Sequence, residues 1–205
     1  MNVLRGVLVM LVAALLSAAP ALAHEMHEHA PAGQSQAMVR VSVPDVTLDT
    51  QAGRRIRLPD LVGDRIIVID FVYTSCTTFC PVASSIMDRV RVRLDERLGR
   101  DVVLASITVD PLRDTPQRLA AYASRFTPSE SWHWLTGEKR NVDAVLKGFG
   151  AYSPNFEDHP ALVLVGHPRS GVWMRLNGLP DAELILKQIG FVAQTVAERT
   201  SKGAR

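Results

Sequence analysis

The sequence predicts an α/β domain with a central mixed sheet flanked by helices and an N-terminal β-hairpin extension. Three observations predict it. Residues 66–73 and 102–109 are nearly continuous apolar, β-branched runs, as expected of strands buried on both faces. Between them Val82, Ile86, Val90, Leu94 and Leu98 recur at four-residue steps until Gly99, a helical spacing. The chain then closes with two short apolar runs around Arg169-Ser170-Gly171 and a long amphipathic stretch, a hairpin followed by a helix.

Taken in order, residues 1–23 read as a secretory signal. Arg5 and the amino terminus supply positive charge, residues 7–16 are an unbroken apolar run, Pro20 breaks it, and Ala21-Leu22-Ala23 is an A-x-A cleavage site. An uncleaved anchor is the alternative, since residues 6–23 just suffice to span a bilayer. Either way the body of the protein is exported, periplasmic or membrane-anchored facing the periplasm, where disulfide chemistry is available. Residues 24–38 form a leader and linker, in which His24, His27 and His29 crowd three of the chain's 6 histidines together with Met26. That composition suits weak metal capture, or simply a solvated tail.

Residues 39–205 form the domain. Val39, Val41 and Val43 alternate like a strand, and residues 46–48 and 55–58 flank a polar loop with Gly53 as a hairpin. After the first long strand, Pro81 suits the first turn of a helix. Thr115-Pro116 opens the next helix as cap and first-turn proline, with Leu119, Tyr122 and Phe126 inward. Residues 132–135 read as a short strand or sheet edge. Asn141 reads as the cap of a helix carrying Val142, Val145, Leu146 and Phe149. Residues 162–165 and 172–176 pair as the hairpin, and the last helix, from about Asp181, turns Leu184, Ile185, Ile189, Val192 and Val196 one way. This order of elements is thioredoxin-like.

Composition excludes several classes. The chain has 205 residues, 47% hydrophobic and 21% charged, which is neither disordered nor fibrous. Its net charge is only +2 and both signs are interspersed, so no focused face for nucleic acid exists. Contact with a membrane is expected only through the N-terminal segment. Two cysteines are too few for a disulfide-framed miniprotein.

Those two cysteines carry the chemistry. Cys76 and Cys80 sit where the first long strand meets its helix, and a helix amino terminus favours the thiolate. Four-residue spacing puts both sulfurs on one side, able to hold a metal or to oxidise to a disulfide. A purely structural disulfide is the bland alternative, but so short a loop is worth only about 2 kcal/mol. Two thiolates suit Cu(I), which accepts low coordination and tolerates an imidazole as third donor. Zinc calls for four ligands, and no further cysteine exists. The domain offers three histidines. His133 lies between two tryptophans as a packed residue, His167 precedes Pro168 at the hairpin turn, and His159 stands in the loop before the strand at 162–165.

Tyr73-Thr74-Ser75-Cys76-Thr77-Thr78-Phe79-Cys80-Pro81 resembles the Cys-x-x-x-Cys-Pro motif of the Sco/SenC family of copper chaperones. Val109-Asp110-Pro111-Leu112-Arg113-Asp114-Thr115-Pro116 is similar to the family's Asp-Pro-x-x-Asp-Thr-Pro segment, and Asp158-His159 sits where the family has its metal-binding histidine. The resemblance spans about residues 41–196. It implies a thioredoxin fold binding one copper ion, Cu(I) or Cu(II), with Cys76, Cys80 and His159 as ligands. It implies Asp110 and Asp114 as residues that shape the site or cap the next helix, not as ligands. Pro160, directly after His159, departs from the small polar residue of many members; it is either the cis proline that thioredoxin-like folds keep beside their cysteines, which favours redox chemistry, or an ordinary trans residue, the commoner case.

Two functional readings follow. In the first, the chain is a metallochaperone without net turnover that passes copper to the cytochrome c oxidase subunit carrying the CuA site, served by a copper donor protein and a thiol reductant. In the second, Cys76 and Cys80 are the redox-active pair of a thiol-disulfide reductase acting on that subunit or another cuproprotein, a role that needs no His159.

Overall fold

The two apolar runs become the centre of the sheet. In the computed structural model, which describes residues 35–203, they are β4 (Ile66–Val72) and β5 (Val102–Thr108), parallel neighbours with every residue buried. Around them lie β1 (Ser35–Met38), β2 (Thr47–Thr50), β3 (Arg55–Arg57), β6 (Trp132–Thr136), β7 (Leu162–His167) and β8 (Val172–Asn177). The single sheet runs β1-β8-β7-β4-β5-β6-β2-β3. Only β4·β5 and β5·β6 are parallel; every other pair is antiparallel. The sheet is therefore mixed, as expected, and the N-terminal hairpin β2–β3 extends it at one edge.

Alternation along β4 sorts side chains between two cores. Ile66, Val68 and Val72 face α2 (Phe79–Leu94), α3 (Pro116–Ala123) and α5 (Ala182–Gly203). Ile67, Ile69 and Phe71 face α1 (Leu58–Val62) and α4 (Lys139–Gly148). This is the period-2 geometry of a strand buried on both sides. Among the described residues no helix is long and apolar enough to cross a membrane.

Several local expectations are corrected. Val39, Val41 and Val43 are not in a strand; they pack against the α4-side core, so their alternation records one-sided burial rather than a ladder. The edge strand instead comprises Ser35–Met38, residues read as linker, paired antiparallel with β8. Helix α2 begins at Phe79, and Val82 is exposed while Ser84, Ile86, Met87, Val90 and Leu94 are buried. Four-residue steps drift by roughly 40° each around a 3.6-residue helix, so Val82 leaves the stripe. Leu98 lies beyond the helix, after the 3-10 turn Asp95–Arg97. Asn141 is not a cap but a first-turn residue of α4, and its Nδ2 donates to the Thr47 carbonyl at 3.0 Å, tying α4 to β2. Strand β6 is no edge, since β5 and β2 flank it. Thr115 does cap α3, its hydroxyl accepting from the Arg118 N–H. The signal segment and the His24, His27 and His29 leader lie outside the described residues.

Topology fixes where the site must be. The loop after β4 and the loop after β5 leave the same end of the sheet, because these strands are parallel. Strand β7 is antiparallel to β4, pairing Val163 with Asp70, so the loop that enters it arrives at that same end. Three loops thus converge at the carboxyl end of the central strands, the usual place for ligands in open α/β sheets.

Candidate functional site

The loop after β4 is a tight turn in which the Cys76 N–H donates to the Tyr73 carbonyl at 3.1 Å. Helix α2 then starts without a side-chain cap from Thr78. The Cys76 sulfur supplies the missing acceptor, taking the Cys80 N–H at 3.3 Å. Cys76 therefore precedes the helix instead of lying on its first turn, and this contact brings the two cysteines together. Both are free thiols and both are nearly covered, at 7% and 3% exposure.

Their environments push them apart. Burial works to raise the Cys76 thiol, yet hydrogen bonds from the Cys80 thiol, the Cys80 and Thr78 N–H groups and the Tyr73 hydroxyl bring it down to about 7. Burial, followed by the hydrogen bond with Cys76, raises Cys80 to about 12. Cys76 is thus the more acidic thiol of the pair and Cys80 the less acidic.

His159 arrives from the third loop. The loop is organised by a short 3-10 turn, Phe156–Asp158, capped by Asn155. Rings pin it to the cysteine turn: Phe156 meets Tyr73 edge-on at 5.2 Å, and Tyr73 meets the His159 imidazole edge-on at 5.9 Å. Arg113 lies over Phe156 at 5.2 Å while it pairs with Asp110, so the loop after β5 joins the same assembly. The Nδ1 atom of His159 is buried without a hydrogen-bond partner. Burial lowers the imidazole's proton affinity, with the backbone at Pro160 opposing it, so the ring tends toward neutral, the form that binds metals. No peptide bond among the described residues is cis, Pro160 included.

Cys76, Cys80 and His159 line one cavity of about 190 Å³. Among the described residues no three histidine, cysteine or acidic side chains stand close enough to hold a metal ion as they are, so a metal shared by Cys76, Cys80 and His159 requires them to draw together. The donor set fits copper: two soft sulfurs and one neutral imidazole with an unspent nitrogen.

The other histidines lie elsewhere. His133, on β6, is surrounded by Arg54 and Arg65. His167 sits at the far end of β7, accepting from the Ser170 N–H and facing Asp64 at 3.2 Å. Asp114 is buried and binds Thr74 and Thr108, so it shapes the cysteine turn. Thr115, not Asp114, caps α3. Two wall residues escape a reading of the sequence alone. Tyr73 joins the dithiol to the histidine, and Asp70 is a buried carboxyl lining the same cavity as the cysteines, with one oxygen unpartnered. A lone acid inside an otherwise apolar strand was the available sign of Asp70.

A free dithiol at a helix amino terminus, at the carboxyl end of a mixed sheet, defines a thioredoxin-like thiol protein. Residues 36–189 match the SCO1/SenC protein family, and the chain belongs to it. It is 30% identical over 148 residues to the SCO1 protein homolog of Bacillus subtilis, covering 68% of this chain and 75% of that one. Its fold is similar to that of BsSco, described as a member of the Sco family of cytochrome c oxidase assembly proteins with a disulfide switch, at a TM-score of 0.64 and 25% identity over 77% of this chain and 96% of the other. It is also similar to Bradyrhizobium japonicum ScoI with copper bound, at a TM-score of 0.56 and 26% identity over 71% and 96% of the two chains.

Proposed function

We propose that this chain is an exported copper-binding chaperone that captures one copper ion through Cys76, Cys80 and His159 and hands it to the oxidase subunit carrying the CuA site. The observation that carries this reading is the buried, unpartnered Nδ1 of His159 in the same cavity as the two free thiols. A buried polar atom without a partner is costly, and a ligand that engages it removes that cost.

In this mechanism copper is the cargo. The Cys76 thiolate makes first contact, since it is the more acidic thiol. Cys80 gives up its proton only as the metal takes its place, which couples capture to proton release. His159 binds as the neutral ring. A partner's thiolates then displace the ligands one at a time, with no net chemistry on this chain. A thiol reductant keeps the pair reduced and a donor protein loads it.

The split between the two thiols also favours a second reading, a thiol-disulfide reductase in which Cys76 attacks a partner's disulfide and Cys80 resolves the mixed disulfide. Anaerobic titration of the reduced chain with Cu(I) tests the first reading. One tightly bound ion per chain, lost after oxidation of the cysteines to a disulfide, is the expected result; no tight binding by the reduced chain overturns it.

A further inference from the structure

The cavity beside the two thiols is far larger than a single copper ion. At about 190 Å³ it is comparable to an apolar cavity that admits benzene, near 150 Å³. The remaining space is walled by Phe71, Ala83, Leu162 and Val163. Cys76 and Cys80 line it as well, and Phe79, between them in sequence, has 64% of its surface exposed. The lining holds two carboxyls, Asp70 and Glu157, and among the described residues no lysine or arginine.

We propose that this cavity is an anchor subsite for one apolar side chain, of leucine or methionine size, carried beside the exchanging cysteine of the partner protein. The inference rests on reading Cys76 and Cys80 as the place where a partner's sulfur exchanges. Phe79 is exposed and lines the same cavity as the two thiols, so a segment that brings a partner sulfur to them across Phe79 also brings its neighbouring side chain to the cavity. The apolar walls reward an aliphatic group there, while Glu157 disfavours an acidic one. The subsite thus selects the partner by the residue next to its thiol, a selection that two sulfurs and an imidazole cannot make.

The test uses the reduced full chain and short peptides whose single cysteine is disulfide-linked to thionitrobenzoate, with leucine, serine or glutamate beside it. The Cys76 thiolate attacks the peptide sulfur, a protein–peptide disulfide forms, and thionitrobenzoate leaves with the electron pair as a coloured anion. The leucine peptide is expected to react about tenfold faster than the serine peptide, with glutamate slowest. Ala83→Leu, which fills the cavity from α2, brings the leucine-to-serine ratio near one. Each ratio is taken within one protein, so altered thiol reactivity cancels. Should Ala83→Leu fail to fold, Phe79→Ser, at an exposed position, is expected to lower the ratio at least threefold (roughly half of a buried side chain's contribution). A wild-type ratio near one, or a ratio undiminished in the variant that folds, overturns the subsite. A leucine preference in a chain that binds no copper sinks the copper reading alone, and copper binding without the preference sinks the subsite alone.

Discussion

Asp114 holds Thr74 in place across 40 residues of sequence. Its carboxylate accepts the Thr74 N–H at 3.1 Å and the Thr74 hydroxyl at 2.5 Å, and it takes a further hydrogen bond from the Thr108 hydroxyl at 2.6 Å. Thr74 lies two residues before Cys76, so the loop after β5 sets the shape of the turn that presents the dithiol.

Asp114→Ala strands these three donors in a buried place. A loss of about 3 kcal/mol in urea-unfolding free energy is expected, since hydrogen bonds to charged groups are the stronger class. Asp114→Asn, which keeps one acceptor, falls between the variant and wild type. A loss no greater than that of an exposed substitution contradicts the clamp.

The thiols predict a two-stage labelling profile. Cys76, brought down to about 7, is alkylated by iodoacetamide with a midpoint near that pH, because the thiolate is the nucleophile. Cys80, raised to about 12, stays protected through the whole neutral range. Mass spectrometry after brief labelling at pH 8 should find the modification on Cys76; equal labelling of both disproves the asymmetry.

His133 contributes to acid sensitivity. Burial first, then Arg65 and Arg54, lower it from 6.5 to about 4. The unfolded chain gains this proton below about pH 6.5 while the folded chain refuses it until near 4, so stability is lost as pH falls through that window. His133→Gln, which cannot titrate, should flatten the pH 6.5-to-4 slope of unfolding free energy. An unaltered slope refutes the assignment.

Asp70 works with the opposite sign. Burial raises its carboxyl from 3.8 to about 7, against the hydrogen bond that Ser106 donates at 2.5 Å. Between those values the unfolded chain is ionised and the folded one protonated, so stability falls as pH rises. Asp70→Asn keeps an acceptor for Ser106 and removes the titration. Its stability relative to wild type should rise between pH 4 and pH 7, read from paired urea curves; a pH-independent difference excludes the buried protonated acid.

The sequence made some of this legible and hid the rest for physical reasons. Burial on both faces writes itself as an unbroken apolar run, so β4 and β5 could be placed from residue type alone. The motifs around Cys76, Cys80, Asp114 and His159 were visible because chemistry restricts which residues can stand there. Alternation misled at Val39, Val41 and Val43, because it reports one-sided burial and is silent on whether a strand edge lies alongside. The spacing of Val82 and Ile86 misled because four is not 3.6. The Tyr73–His159 contact and the cavity could not be read at all, since they arise where three loops far apart in sequence converge.

The central claim is that His159 completes a site begun by the cysteines. The direct measurement is Cu(I) affinity of the reduced chain by competition with a chelator under anaerobic conditions, for wild type, His159→Ala and Cys76→Ser. Loss of a ligand of this kind weakens binding by at least about tenfold, and the account predicts that both variants show it, with the reduction of small disulfides surviving in His159→Ala. Wild-type affinity in His159→Ala would contradict the three-ligand site and leave the dithiol to its redox chemistry alone.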